Sequence, residues 1–201
     1  MLLYSQAGEI KRKLDTYTKF LFVRHPMERL VSAFRNKFEK NVTSSIFFKR
    51  TFGARILKRY RPDLPADLIN KGEGVKFKEF VKFLLDPKVH RNENYNEHWA
   101  SYMSLCQPCV INYDIIGKYE TLKEDSEVIL NQIGAPSYLH FPSVFSSKTP
   151  SLVPKYLDTL HPKTRRRLYA LYEPDFRIFQ YEHELNLNKP TTPPSFNITL
   201  R

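Results

Sequence analysis

Phe20-Leu-Phe-Val23 is a continuous apolar run, short enough to predict a strand covered on both faces. The period then changes. Met27, Leu30, Val31, Phe34 and Phe38 recur at helical spacing and make one apolar stripe, while Glu28, Arg29, Ser32 and Asn36 project from the other side. Pro26 has its φ already set and no N–H to lose, so the helix is predicted to begin at His25 or Pro26. The chain thus passes from strand to helix through Arg24-His25-Pro26.

Further along, the basic stretch Lys49 to Arg61, with Phe52, Ile56, Leu57 and Tyr60 interspersed, predicts a helix ending before Pro62. The segment from Pro62 to Gly74 reads as a connection. Phe77, Phe80, Val81, Leu84 and Leu85 predict a helix stopped by Asp86-Pro87. Another helix is expected from about Asn94, with Trp99, Tyr102, Met103 and Cys106 on its buried face. Ile111 to Tyr119 reads as a second strand in which Gly117 permits close backbone approach. Thr121-Leu-Lys-Glu124 matches a capping box opening a helix with stripe Leu122, Val128, Ile129 and Ile133, ended by Gly134 and Pro136. Phe141 to Pro154 is read as a loop. A helix from Pro162 to about Tyr172 packs Leu168, Leu171 and Tyr172 inward behind a basic first turn, Lys163 and Arg165 to Arg167. Residues 1–188 are expected to form one domain and 189–201 a loose tail. Two strand-to-helix units make the class α/β.

Charge sets the partners. A net charge of +11 and an isoelectric point near 9.6 imply anions, whether nucleotide, acidic polysaccharide, membrane surface or nucleic acid. No zinc finger, arginine-glycine repeat or RNA-binding signature accompanies the charge, so no nucleic-acid partner is expected. No Gly-x4-Gly-Lys-Ser/Thr occurs, which argues against an ordinary nucleotide triphosphatase. No apolar window approaches the ~18 residues of a membrane span, so the chain as written reads as soluble.

Several residues carry candidate chemistry. A guanidinium at the strand end, Arg24, and a hydroxyl two turns into the helix, Ser32, suit a phosphate lying beside unpaired helix N–H groups; the plain alternative is an Arg24 paired with Glu28. His98 is a candidate general base, with a surface or hydrogen-bonding role as its alternative. Cys106-Gln-Pro-Cys109 holds both cysteines of the chain and admits a zinc half-site, a redox pair or a short disulfide; no metal is expected, because no further ligands stand at a recognised spacing. Asn41-Val-Thr43 and Asn197-Ile-Thr199 match glycosylation sequons.

The motif Arg24-His-Pro-Met-Glu-Arg-Leu-Val-Ser32 resembles the 3′-phosphate-binding motif of Golgi carbohydrate sulfotransferases. Val75-Lys-Phe-Lys-Glu-Phe80, Asn96-Glu-His-Trp99, Leu105-Cys-Gln-Pro-Cys109 and Tyr113-Asp-Ile-Ile-Gly-Lys-Tyr-Glu-Thr-Leu122 extend the resemblance to chondroitin and dermatan 4-O-sulfotransferases, over roughly residues 17 to 181. The resemblance implies an α/β sulfotransferase domain akin to P-loop kinases, incomplete at its N-terminus because nothing before Lys19 looks like the family's 5′-phosphosulfate loop. It implies 3′-phosphoadenosine 5′-phosphosulfate as co-substrate, held by Arg24 and Ser32 with Arg29 and Lys148 as further contacts, and transfer to a sugar hydroxyl, foremost the 4-hydroxyl of N-acetylgalactosamine in chondroitin, dermatan or a glycoprotein glycan. It also implies a Golgi-lumen protein of proteoglycan biosynthesis, a membrane anchor outside this chain, and a Cys106–Cys109 disulfide. His25 stands where the family has Asp or Glu, and is expected to add a donor that strengthens on protonation. A catalytically incomplete binding homologue and a basic nucleic-acid protein are the rival readings.

Overall fold

A computed structural model describes residues 2–90, 95–142 and 147–182, apart from the side chains of 2–6 and 90. The expected tail 189–201 lies outside these residues. The chain divides into two compact units, one built from residues 2–24 and 102–142, the other from 25–90, 95–101 and 147–182.

The first unit holds the sheet. Helix α1 spans Leu2–Thr16, over a segment from which the sequence predicted no element. Its exposed side is tied by Lys13–Glu9 and Lys11–Asp15 pairs at 2.7 Å, both at the i,i+4 spacing that supports a helix. Strand β1, Phe20–Val23, pairs in parallel with β2, Ile115–Lys118, in the register Phe20↔Ile115 through Val23↔Lys118. Asp114 locks the start of the pair. Its Oδ2 accepts the Lys19 backbone N–H at 2.6 Å and Lys19 Nζ at 2.9 Å, which holds the Asp114 carboxyl below its usual pKa. The close approach expected of Gly117 is met by Phe22, whose ring would lie 2.5 Å from a Cβ at that position.

Three expectations change here. Phe20 is 51% exposed, so β1 is not covered on both faces; the sheet of the described residues has two strands and leaves the outer edge of β1 open. The second strand is shorter than expected, because the Val110 and Ile111 amides both donate to Gln107 O in a turn. The capping box does not form. A 3₁₀ turn, Tyr119–Thr121, precedes helix α9, Leu122–Gln132, and it is Asp125 that reaches back, accepting the Lys118 N–H at 2.6 Å and the Thr121 hydroxyl at 2.8 Å. The inserted turn also rotates the stripe, burying Ser126 and Ile129 and leaving Val128 and Ile133 exposed.

The second unit holds the core. Helix α2, Pro26–Phe34, runs into a π-turn at Arg35–Glu39, and the predicted stripe Met27, Leu30, Val31, Phe34 and Phe38 is buried along its whole length. Helices α3, Thr43–Phe48, and α4, Ala54–Tyr60, are joined by a second π-turn, Lys49–Gly53. The expected connection contains a short helix α5, Ala66–Lys71, closed by Gly72 in the left-handed region at φ +66°. Gly72 is seated so tightly that a Cβ would lie 1.8 Å from Lys49 O. Helix α6, Phe77–Leu84, is the apolar helix predicted, with Glu79 turned back to accept the Lys76 N–H at 2.9 Å. A single turn, α7 at Pro87–His90, follows.

Trp99 is fully buried, as predicted, but not on a helix from Asn94, a residue outside the described ones. The Trp99 and Ala100 amides both donate to Asn96 O and close a turn. Helix α8 is a separate piece, Tyr102–Cys106, without a buried residue. The stretch expected to loop as far as Pro154 becomes helix α10, Thr149–Leu157, since Pro150 falls in the tolerant first turn and Leu157 anchors the far end in the core. Helix α11, Pro162–Ile178, continues past the predicted end and through Pro174. Its Leu168, Tyr169, Tyr172 and Phe176 are buried with the α2 and α6 stripes.

Candidate functional site

In the first unit the candidate residue is Arg24, immediately beyond β1. The register sets Val23 beside Lys118, so Arg24 and Tyr119 follow at the carboxyl ends of adjacent parallel strands. The Arg24 guanidinium lies over the Tyr119 ring, 4.5 Å from its centroid, and the Arg24 backbone N–H donates to the Tyr102 hydroxyl at 3.1 Å. Lys118 is buried to 6% exposure, and desolvation lowers its pKa against the opposing pull of Glu120 and Asp125. Ligands of open α/β sheets bind at such carboxyl ends.

In the second unit α2 presents Ser32, half-buried on the side away from the stripe. Arg29, expected on the nucleotide, does something else. Its Nη1 donates to Ala100 O at 2.5 Å and its Nη2 to Glu97 O at 2.6 Å, so the guanidinium fork straddles the turn that carries His98. Asn96 completes that turn. Its Oδ1 accepts the His98 backbone N–H at 3.1 Å and lies 2.8 Å from His98 Nδ1. An amide oxygen that accepts one N–H must accept the other, which puts the neutral ring's proton on Nδ1 and leaves Nε2 the basic nitrogen. Burial, then Lys37, depress the His98 pKa, with Arg29 in the same sense and Glu97 opposing. The ring packs edge-on to Phe48 at 4.9 Å, and Lys37 Nζ sits 4.4 Å from that ring's centre. Burial first, and nearby cations after it, thus favour the neutral imidazole, whose Nε2 is the nitrogen placed to accept a proton.

Other expectations fall elsewhere. Lys148 is exposed at the residue preceding α10, rather than inside a loop reaching to Pro154. The His25 ring turns into the protein, edge-on to Phe176 at 5.3 Å and Tyr181 at 5.4 Å, so it packs the start of α2 instead of offering a donor outward. The basic turn of α11 is partly answered by protein groups: Arg165 Nη2 meets Asp158 Oδ1 at 2.9 Å and Leu157 O at 2.7 Å. Cys106 and Cys109 are free thiols across a turn whose Gln107 has φ +44°, not the bridge expected. No metal-holding group occurs among the described residues. Asn41 is exposed just before α3, its Oδ1 accepting from the buried Lys49 Nζ at 2.6 Å; Asn197 lies outside the described residues. Within the described residues no helix is long and apolar enough to cross a membrane. Tyr102, Tyr119 and Asn96 escaped the sequence reading as site residues, although Asn96 and Tyr119 stood inside the motif blocks, because their role is to place another side chain.

Parallel strands that lead into helices define an α/β fold, a class whose ligands bind at the carboxyl ends of the strands. The profile of the Sulfotransferase family matches residues 3–182, and the chain belongs to that family. The match takes in α1, ahead of the point where the motif resemblance begins. The chain is 43% identical over 175 residues to carbohydrate sulfotransferase 11 of Rattus norvegicus, spanning 86% of this chain and 49% of the relative. It is 44% identical over 179 residues to carbohydrate sulfotransferase 9 of Homo sapiens (86% and 39%) and 41% over 178 residues to carbohydrate sulfotransferase 8 of Homo sapiens (86% and 41%). The chain therefore spans half or less of the length of these relatives. No solved structure matches it.

Proposed function

We propose that this chain is the greater part of a carbohydrate sulfotransferase catalytic domain, residues 1–188, that moves a sulfuryl group from 3′-phosphoadenosine 5′-phosphosulfate to a sugar hydroxyl. The observation that carries the reading is the Arg24–Ser32 motif at the β1-to-α2 passage, in a chain of this family. Arg24 and Ser32 would hold the 3′-phosphate, the end of the nucleotide that does not react. Arg24 is suited to this by the Tyr102 and Tyr119 contacts that fix its backbone and its fork before any ligand arrives. His98 would take the proton of the acceptor hydroxyl at Nε2 as that oxygen bonds to sulfur and the sulfur–oxygen bond to the nucleotide breaks. The acceptor we favour is the 4-hydroxyl of N-acetylgalactosamine in chondroitin, dermatan or a glycoprotein glycan. With it go a Golgi-lumenal setting and glycans on Asn41 and Asn197.

Two measurements test this. Arg24→Ala should cost about 2 kcal/mol of adenosine 3′,5′-bisphosphate binding, a roughly thirtyfold rise in Kd by calorimetry, and Ser32→Ala a smaller loss. Unchanged affinities remove the site. Labelled sulfate should pass from the donor to desulfated chondroitin; bisphosphate binding without transfer would leave a binding homologue.

A further inference from the structure

His98 stands on neither a helix nor a strand, and the turn Asn96–Ala100 that carries it is held largely by side chains. Asn96 works from inside the turn, accepting the His98 N–H at its side chain and the Trp99 and Ala100 N–H groups at its own carbonyl. Two helices of the same unit work from outside. Tyr172 of α11 donates its hydroxyl to Trp99 O at 2.6 Å, and Arg29 of α2 donates to Glu97 O and Ala100 O. Seating the buried Trp99 accounts for the Tyr172 bond, which meets that residue's own carbonyl. It does not account for Arg29. The two carbonyls that Arg29 takes lie one residue before His98 and two after it, so the guanidinium skips Trp99 and spans the imidazole's backbone. A planar fork on two carbonyls fixes direction as well as distance, which the point charge of a lysine does not. The helix that supplies the fork also carries Ser32, three residues on and half-buried on the same side away from the core stripe.

We propose that Arg29 is a positioning residue for the transfer reaction: it locks the His98 turn to the helix that carries Ser32, so that the base is set against the donor by α2. An irregular segment is too imprecise a support for a proton acceptor unless a rigid element holds it. The inference rests on the reading of His98 as the base and Ser32 as a donor contact. The family resemblance makes Arg29 a nucleotide contact instead, and the two roles predict different losses.

The test uses the 201-residue chain with ¹⁵N in its histidine rings, the His98 signals being assigned by their loss in His98→Gln. At a pH where the ring is neutral, wild-type His98 should show the Nδ1–H tautomer, and Arg29→Lys, which keeps the charge but not the fork, should give a mixture of tautomers. Calorimetry should return the same adenosine 3′,5′-bisphosphate Kd, within about twofold, for both chains. Sulfate transfer should lose about tenfold to a hundredfold in kcat with the donor KM unchanged. Arg29→Gln should lose at least as much, and each variant is read where its circular dichroism matches the wild type. Without measurable transfer the tautomer decides. Bisphosphate affinity about tenfold weaker in Arg29→Lys would make Arg29 a nucleotide contact and overturn the proposal. Wild-type tautomer and kcat in a folded variant would overturn it too, as would unfolding of both variants, the mark of a purely structural arginine. A wild-type chain that binds no bisphosphate, or a rate indifferent to His98→Gln, would end the donor or the base reading and this proposal with it; both show without an Arg29 variant, and so are told apart from its own failure.

Discussion

The His98 imidazole is governed by what surrounds it more than by its own basicity. Burial, Lys37 and Arg29 all favour its neutral form, with Glu97 opposing. The folded-state pKa thus lies below the unfolded value of ~6.5, so the unfolded chain binds the extra proton first. Stability tied to this group is present above the unfolded pKa and is lost as pH falls through that value toward the folded one. A proton-accepting role would persist to lower pH than a free histidine allows. Imidazole resonances followed by NMR should titrate below ~6.5, and Lys37→Gln should raise the midpoint by removing one of the depressing charges. A midpoint at the free value, indifferent to Lys37→Gln, refutes the electrostatic account. Tyr156 is set in the opposite sense: burial and the Glu39 carboxylate, 2.6 Å from its hydroxyl, push it up to about 12, so it stays a donor.

Among the elements, the glycines and the buried acid separate backbone constraint from packing. Gly72 and Gly134 share a left-handed backbone, at φ +66° and +69°, but a Cβ on Gly134 meets open space while one on Gly72 strikes Lys49 O. Gly134→Ala should therefore cost about 1 kcal/mol, the strain of the conformation alone, and Gly72→Ala several kcal/mol in urea melts. Equal costs would mean that α5 shifts freely against the Lys49–Gly53 turn. Glu79→Ala should cost about 2–3 kcal/mol by the same measurement, since it strands Arg61 and the Lys76 amide together; a change within ±0.5 kcal/mol would show that water replaces the carboxylate. The apolar helices α2 and α6 were legible because stripe, start and stop agreed in sequence, with Pro26 at one start and Asp86-Pro87 at one stop. The failures have a common cause. In α8 to α9 and at Asn96–Ala100 the outcome turns on which amide an Asn or Asp side chain or carbonyl captures, a choice among near-equal local bonds that periodicity does not register. The sequence motif named Arg24 and Ser32 as candidates but not the groups that orient Arg24, and it gave no sign that Arg29 would meet the backbone carbonyls of a distant turn.

Across the whole molecule the apolar burial is uneven. The hydrophobic cluster from Met27 to Phe176 lies within the second unit, while the first buries Val23, Ile115 and Ile129 and exposes Ile10, Leu14, Phe20, Ile116 and Tyr138. Amide exchange should reflect this, slowest in α2 and α6 and faster by orders of magnitude in α1 and α9. Uniform protection would show that the first unit draws stability from a source other than its own packing. Trp99 is the only tryptophan of the chain; it is 1% exposed, ringed by Phe38, Phe48, Phe52 and Phe80, and next in sequence to His98. The protein consequently carries its own optical reporter: a blue emission shielded from aqueous quenchers when the core is intact and red-shifting on unfolding, with no dye or label attached.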